Sequence, residues 1–166
     1  MDNTHIIICG LGGQGIILTE KIFSFGLSNA GYDVKVSEIH GLAQRGGSVC
    51  AEISYGNKVF SPVIEEEKAN IIVSFDYQQT FQYLSKLQYN GKIIVKSSLI
   101  TTFPSRYKCL NITDSSFNNI SLLGILVKEL NLQTINWQNA IAHYIEDKYL
   151  EKNLKAFYLG LKFNNN

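Results

Sequence analysis

The chain has 166 residues, 45% hydrophobic and 17% charged, with a formal net charge of +1. That length suits one domain with a substantial core, and the balanced charge, with no basic stripe, excludes electrostatic capture of nucleic acid or of an anionic membrane. No apolar run approaches the ~20 residues of a transmembrane helix, and Met1-Asp2-Asn3-Thr4 opens without the features of a leader, so the expected location is the cytoplasm.

The first element is a short apolar run, His5-Ile6-Ile7-Ile8-Cys9, which reads as a buried parallel strand. Gly10-Leu11-Gly12-Gly13-Gln14-Gly15 follows directly and satisfies G-x-G-x-x-G. Residues 13–31 read as a helix, with Gly31 as its C′ residue. A glycine turn between strand and helix lets the backbone bend sharply and lets an anion come close to the helix's free N–H groups. Gly10, Gly12, Gly13, Gln14 and Gly15 are therefore candidate cofactor-binding residues. The same glycines also suit a tight turn that serves only strand–helix packing.

Asp33 to Glu38 alternates as a second strand, Val34 and Val36 against Lys35 and Ser37. Glu38 stands at its end, where dinucleotide folds place an acid for the ribose hydroxyls; a charged strand end facing solvent is the competing reading. An irregular segment, residues 39–47, comes next. In it Gly41, Gly46 and Gly47 flank Arg45, whose fork of donors suits a carboxylate or phosphate. His40, Gln44, Arg45, Gly46 and Gly47 are candidates for an anion contact or a partner interface. The alternative for Arg45 is a tie to a nearby acid such as Glu38.

Residues 48–54 alternate again, and Tyr55-Gly56-Asn57 turns into Lys58–Ser61, which predicts a β-hairpin and a mixed sheet. Ala69 to Phe75 reads as an apolar strand, followed by Asp76 as a helix cap. Tyr89-Asn90-Gly91 turns into a strand over Lys92–Lys96, and a short apolar piece spans Tyr107–Ile112. Helical spacing recurs over 119–131, 134–149 and 150–161. Strands alternating with helices predict one α/β, Rossmann-like domain, its mostly parallel but mixed sheet flanked by helices.

Cys9, Cys50 and Cys109 are far apart and none lies in C-x-x-C spacing, which excludes an iron–sulfur or zinc site built from this chain's cysteines alone. No metal cluster and no catalytic set is legible. His5 and His143 read as structural or exposed, and Glu65-Glu66-Glu67 as a solvated turn. The chain reads as a binding domain that needs other chains for chemistry.

Four stretches together resemble a known family, the gamma-type domain of 2-oxoacid:ferredoxin oxidoreductases. They are Gly10–Gly15, Val36–Val49, Asn119 with Leu123-Gly124, and Glu151–Gly160. Within that family the run Ser37–Gly47 most resembles the indolepyruvate (arylpyruvate) type. The resemblance implies that residues 1–166 form one pyruvate/ketoisovalerate oxidoreductase gamma-type catalytic domain. It implies a subunit inactive by itself, in a complex that oxidatively decarboxylates a 2-oxoacid to an acyl-coenzyme A and passes electrons to ferredoxin. Thiamine diphosphate and iron–sulfur clusters are then held by partner chains, with coenzyme A as the ligand that would reach Gly10–Gly15. The loop with Arg45, Gly46 and Gly47 would face the catalytic partner. Pyruvate, 2-oxoglutarate and branched-chain 2-oxoacids stay open as substrates, as does self-association into a homodimer when the chain is alone. From the residues, a free-standing dinucleotide-binding oxidoreductase and a purely structural interaction module also remain open.

Overall fold

The computed structural model describes residues 3–41, 46–98 and 102–164. Its centre is the apolar run, which forms β1 (Thr4–Leu11) in the interior of a six-stranded sheet. The other strands are β2 (Asp33–His40), β3 (Ser48–Gly56), β4 (Ala69–Ser74), β5 (Leu87–Lys96) and β6 (Lys108–Ile112). Their order across the sheet is β2-β3-β1-β4-β5-β6. β1, β4, β5 and β6 run parallel, and β3 is antiparallel to both of its neighbours.

Both faces of β1 are covered, so its residues are continuously apolar rather than alternating. Successive side chains point to opposite faces. Ile6 and Ile8 meet Ile22 and Phe23 of α1 (Ile16–Asn29) and Leu123 and Leu126 of α3 (Asn119–Glu129). Ile7 and Cys9 point the other way, into a core with Cys50, Ile72, Ile93 and Tyr107. That second face is covered by α2 (Tyr77–Thr80), a short 3₁₀ turn over Phe81–Lys86, and the segment carrying Ile64.

The helix ends follow local chemistry. Gly31 has φ 91°, its N–H donates to the Ser28 carbonyl at 3.0 Å, and the Tyr32 N–H donates to the Leu27 carbonyl at 3.2 Å. These two hydrogen bonds make a Schellman cap. Asn131, at φ 56°, closes α3 the same way. Asn118 and Ser121 form a reciprocal capping box at its start. α5 (Asp147–Leu161) crosses α3 where Gly124 and Gly160 meet. A Cβ on Gly124 would strike the Phe157 carbonyl oxygen, and one on Gly160 would strike the Ser121 carbonyl oxygen.

Two expectations need correcting. The segment Lys58–Ser61 is not a strand. β3 already has β1 on one edge and β2 on the other, so it offers no edge for a hairpin partner, and the Val59 N–H instead donates to the Asp33 carboxylate at 2.8 Å. The antiparallel pairs are β3 with β2 and β3 with β1. The helix expected over 134–149 is shorter: α4 covers Trp137–Tyr144, Ile145 turns extended, and α5 begins at Asp147. α1 likewise begins at Ile16, after the glycines.

Candidate functional site

The turn between β1 and α1 is stitched together by its own chain. The Leu11 N–H donates to Gln14 Oε1 at 2.7 Å. The Gln14 N–H donates to the Leu11 carbonyl at 3.2 Å, and the Gly12 N–H to the Gly47 carbonyl at 2.9 Å. A Cβ on Gly10 would lie 2.5 Å from Gln14 Oε1 and 2.9 Å from the Phe75 Cβ. At Gly15 the backbone is left-handed, with φ 85°, and an added Cβ would lie 2.5 Å from the Asn119 Nδ2. Gly10 and Gly15 are thus required by close packing and backbone shape. Gly12 is under no such constraint: its Cβ would lie 3.6 Å from the Gly46 nitrogen, an ordinary contact. Gly13 faces open space.

The second glycine-rich segment returns to the same turn. Besides the Gly12–Gly47 bond, the Gly41 N–H donates to the Ser48 carbonyl at 2.7 Å. Gln44 and Arg45 lie outside the described residues. Gly46 and Gly47 therefore flank the glycine turn, which joins two motifs far apart in sequence.

Glu38 is placed differently from the arrangement of a plain βαβ unit. β3 lies between β1 and β2, and the register Glu38–Ala51–Ile8 sets Glu38 in the row of Ile8, below the turn. Its carboxylate stands 3.2 Å from His40 Nε2 on an exposed edge. The structure thus brings Glu38 to His40 rather than to Gly10–Gly15. Behind it, Glu20 of α1 is only 4% exposed and accepts a bond from the Ser24 hydroxyl at 2.8 Å. Burial raises the Glu20 carboxyl above its ordinary range; the Ser24 bond opposes that shift and the charge of Glu38 adds to it.

An open cleft of about 420 Å³ lies beside the turn. Gln14 comes from the β1–α1 turn, Phe75 from the end of β4, Lys96 from the end of β5, Thr113 from just past β6, and Asn118 and Asn119 from the start of α3. This is the carboxyl edge of the parallel strands. From β1 the chain goes by way of α1 to the β2–β3 side, whereas β4 pairs on the other side of β1. Such a switch point is where open α/β sheets bind ligands. Of these residues the sequence marks Gln14 as a candidate for the site. In the sequence Lys96 reads only as the last residue of a strand, and the end of a parallel strand is the signal that points to it.

The remaining chemical residues have structural surroundings. His5 Nδ1 pairs with the Ser54 hydroxyl at 2.7 Å. His143 stacks on Phe25 with ring centres 4.2 Å apart. Asp76 caps α2 through the Gln78 and Gln79 N–H groups. Cys9 and Cys50 face each other across β1 and β3, and burial pushes both thiols up to about 12, which keeps them unreactive.

The fold and the site describe a Rossmann-like α/β module whose glycine turn is braced by a second glycine loop. The chain belongs to the pyruvate ferredoxin/flavodoxin oxidoreductase family, whose sequence model matches residues 5–163. It is 28% identical to the indolepyruvate oxidoreductase subunit IorB of Pyrococcus horikoshii, over 98% of this chain and 96% of that one. The IorB subunit of Methanothermobacter thermautotrophicus is 38% identical over 61% of this chain and 51% of its own. Among solved structures, the gamma subunit of a keto/oxoacid ferredoxin oxidoreductase from Geobacter sulfurreducens has the same fold, with a TM-score of 0.78 at 22% identity and 96% of each chain covered. A 2-oxoglutarate:ferredoxin oxidoreductase from Magnetococcus marinus matches with a TM-score of 0.79 at 15% identity, over 97% of this chain and 31% of that one. No helix among the described residues is long and apolar enough to cross a membrane.

Proposed function

We propose that this chain is the gamma-type subunit of an indolepyruvate-type 2-oxoacid:ferredoxin oxidoreductase and is inactive by itself. The observation that carries this reading is the nearly end-to-end similarity to IorB, 98% of this chain against 96% of the relative. The assembled complex would oxidatively decarboxylate an aryl 2-oxoacid, transfer the acyl group to coenzyme A and pass electrons to ferredoxin. Thiamine diphosphate and iron–sulfur clusters belong to the partner chains in this reading. The cysteine pattern supports that division, since Cys9 and Cys50 are buried in strands and no C-x-x-C spacing exists.

The glycine turn, Gly10, Gly12, Gly13, Gln14 and Gly15, shapes the coenzyme A side of the subunit. His40, Gln44, Arg45, Gly46 and Gly47 form the partner side, and Glu38 joins them through His40. The Gly12–Gly47 bond supports treating the two segments as one working surface. Residues 1–166 act as a single gamma-type domain.

Reconstitution with the catalytic partner chain tests the reading. The complex should turn over indolepyruvate with a higher kcat/KM than pyruvate, 2-oxoglutarate or a branched-chain 2-oxoacid, and the chain alone should show no turnover. Stoichiometric dinucleotide binding and turnover by the isolated chain would overturn it.

A further inference from the structure

We infer that the loop after β3, residues 57–68, is a self-association surface whose occupant is a second copy of this chain, with Phe60 of each copy seated in a cavity of the other. The inference goes beyond the oxidoreductase reading and does not rest on it.

The loop forms no helix or strand, yet it is held at close intervals. Val59 and Ile64 are buried, and the Val59 N–H donates to the Asp33 carboxylate at 2.8 Å. Pro62 fixes its own φ, and the Val63 N–H donates to the Ser61 hydroxyl at 3.1 Å. The Glu67 N–H donates to the Ser85 carbonyl at 3.0 Å. The Ile64 N–H donates to one carboxylate oxygen of Glu52 at 2.9 Å, and the other oxygen accepts from Lys86 Nζ. Glu52 is buried, and a buried carboxylate is costly unless it is paired and hydrogen-bonded. The fold thus commits a charged pair to fixing this loop.

What the fixed loop displays is apolar. Phe60 is the most exposed large hydrophobic residue described, at 83%, and Val63 is 60% exposed. Beside them lies an open cavity of about 260 Å³, walled by Val59, Val63 and Ile64 and reaching Asn3 and His5 at the start of β1. Phe60 stands at its rim and does not fill it. An aromatic knob beside an apolar hole on one surface is what a two-fold interface needs, because each copy then gives and receives the same group. The charges are self-complementary as well. Lys58 Nζ sits 5.1 Å from the centre of the Phe60 ring, so the knob carries a cation. Glu65 lines the hole, and the exposed run Glu65-Glu66-Glu67 makes its rim acidic despite Lys68. Among the described residues neither Lys58 nor any of these three acids has an ion pair. Asp33, whose charge Lys58 feels, is paired with Lys35. Seating Phe60 in the second copy brings Lys58 to that copy's acidic rim. The surface lies at the opposite end of β1 from the glycine turn, so self-association leaves the turn accessible.

Sedimentation of the isolated full chain from about 1 µM to about 1 mM tests this. The mass should rise from one chain to two and stop there, because a two-fold interface closes. Phe60→Ala should weaken the dimer about 30-fold, the scale of an aromatic anchor, and leave the melting of the monomer unchanged. Lys58→Glu and Glu65→Lys should each weaken it about 10-fold, since each sets like charges across both contacts. An equal mixture of those two variants should regain parent-like association, because every contact between unlike copies is then opposite in sign. That recovery also shows both variants to be folded. A monomer at every concentration, parent-like association of Phe60→Ala, or no recovery on mixing would overturn the inference. Variants that self-associate like the parent but bind the catalytic partner chain more weakly would assign the loop to that partner and overturn it too.

Discussion

Gly12 and Gly15 look equivalent in a glycine motif, yet their surroundings differ. Gly15 has both a left-handed backbone and the Asn119 amide at its Cβ position, while Gly12 has neither constraint. Gly15→Ala should therefore lower stability by about 1–2 kcal/mol, and Gly12→Ala should stay within about 0.5 kcal/mol; urea unfolding of both variants measures the difference. Glu20 gives a second residue-level test. A buried carboxyl with a raised folded pKa holds its proton more tightly in the native state than in the unfolded one. Stability contributed by the protonated form is thus lost as pH rises from the ordinary carboxylate value through the raised one. Glu20→Gln, which can keep the Ser24 bond, should flatten that dependence and melt higher than the parent at neutral pH. A parent and variant with parallel Tm-versus-pH curves would contradict this. At this scale the sequence showed which residues were special but not always why. Gln14 stands out in the sequence as a candidate contact, whereas its bond back to Leu11 depends on a side-chain conformation that spacing does not encode. Lys96 carries no local motif and stands out only once the fold sets it in the cleft that Gln14 and Asn119 also line.

Among the elements, the crossing of α3 and α5 explains two of the stretches that carried the family resemblance. Leu123-Gly124 and Leu159-Gly160 are far apart in sequence, and in the fold each glycine admits the backbone of the other helix. Gly160→Val would drive a branched side chain into the Ser121 carbonyl. It should cost about 3 kcal/mol or abolish folding, as severe overpacking does, and calorimetry with circular dichroism reads either result. Unchanged stability would mean that the helices can separate freely. The periodic apolar runs made β1, β4 and the late helices legible, because burial on both strand faces or on one helix face leaves a direct pattern. The hairpin was misread because Tyr55-Gly56-Asn57 has turn chemistry, but the partner of β3 was decided by sheet order. The insertion of β3 between β1 and β2 is a long-range choice, and it also moved Glu38 away from the place the local spacing suggested.

Taken whole, the molecule is a near-neutral α/β module with few charges and two motif surfaces joined through Gly12 and Gly47. The proposed partner surface includes Arg45. Arg45→Ala should weaken assembly by about 2 kcal/mol, the scale of an interfacial arginine anchor, without changing the melting of the isolated chain. Analytical ultracentrifugation of the mixed chains checks this, and parent-like assembly would remove Arg45 from the interface. The most direct test of the whole account is to tag this chain in its source organism, purify it with whatever it holds, and assay the eluate for coenzyme A-dependent reduction of a low-potential dye by 2-oxoacids. The account predicts a larger catalytic partner bearing thiamine diphosphate and iron–sulfur clusters, with indolepyruvate as the preferred 2-oxoacid. A chain that elutes alone and binds a dinucleotide would contradict it.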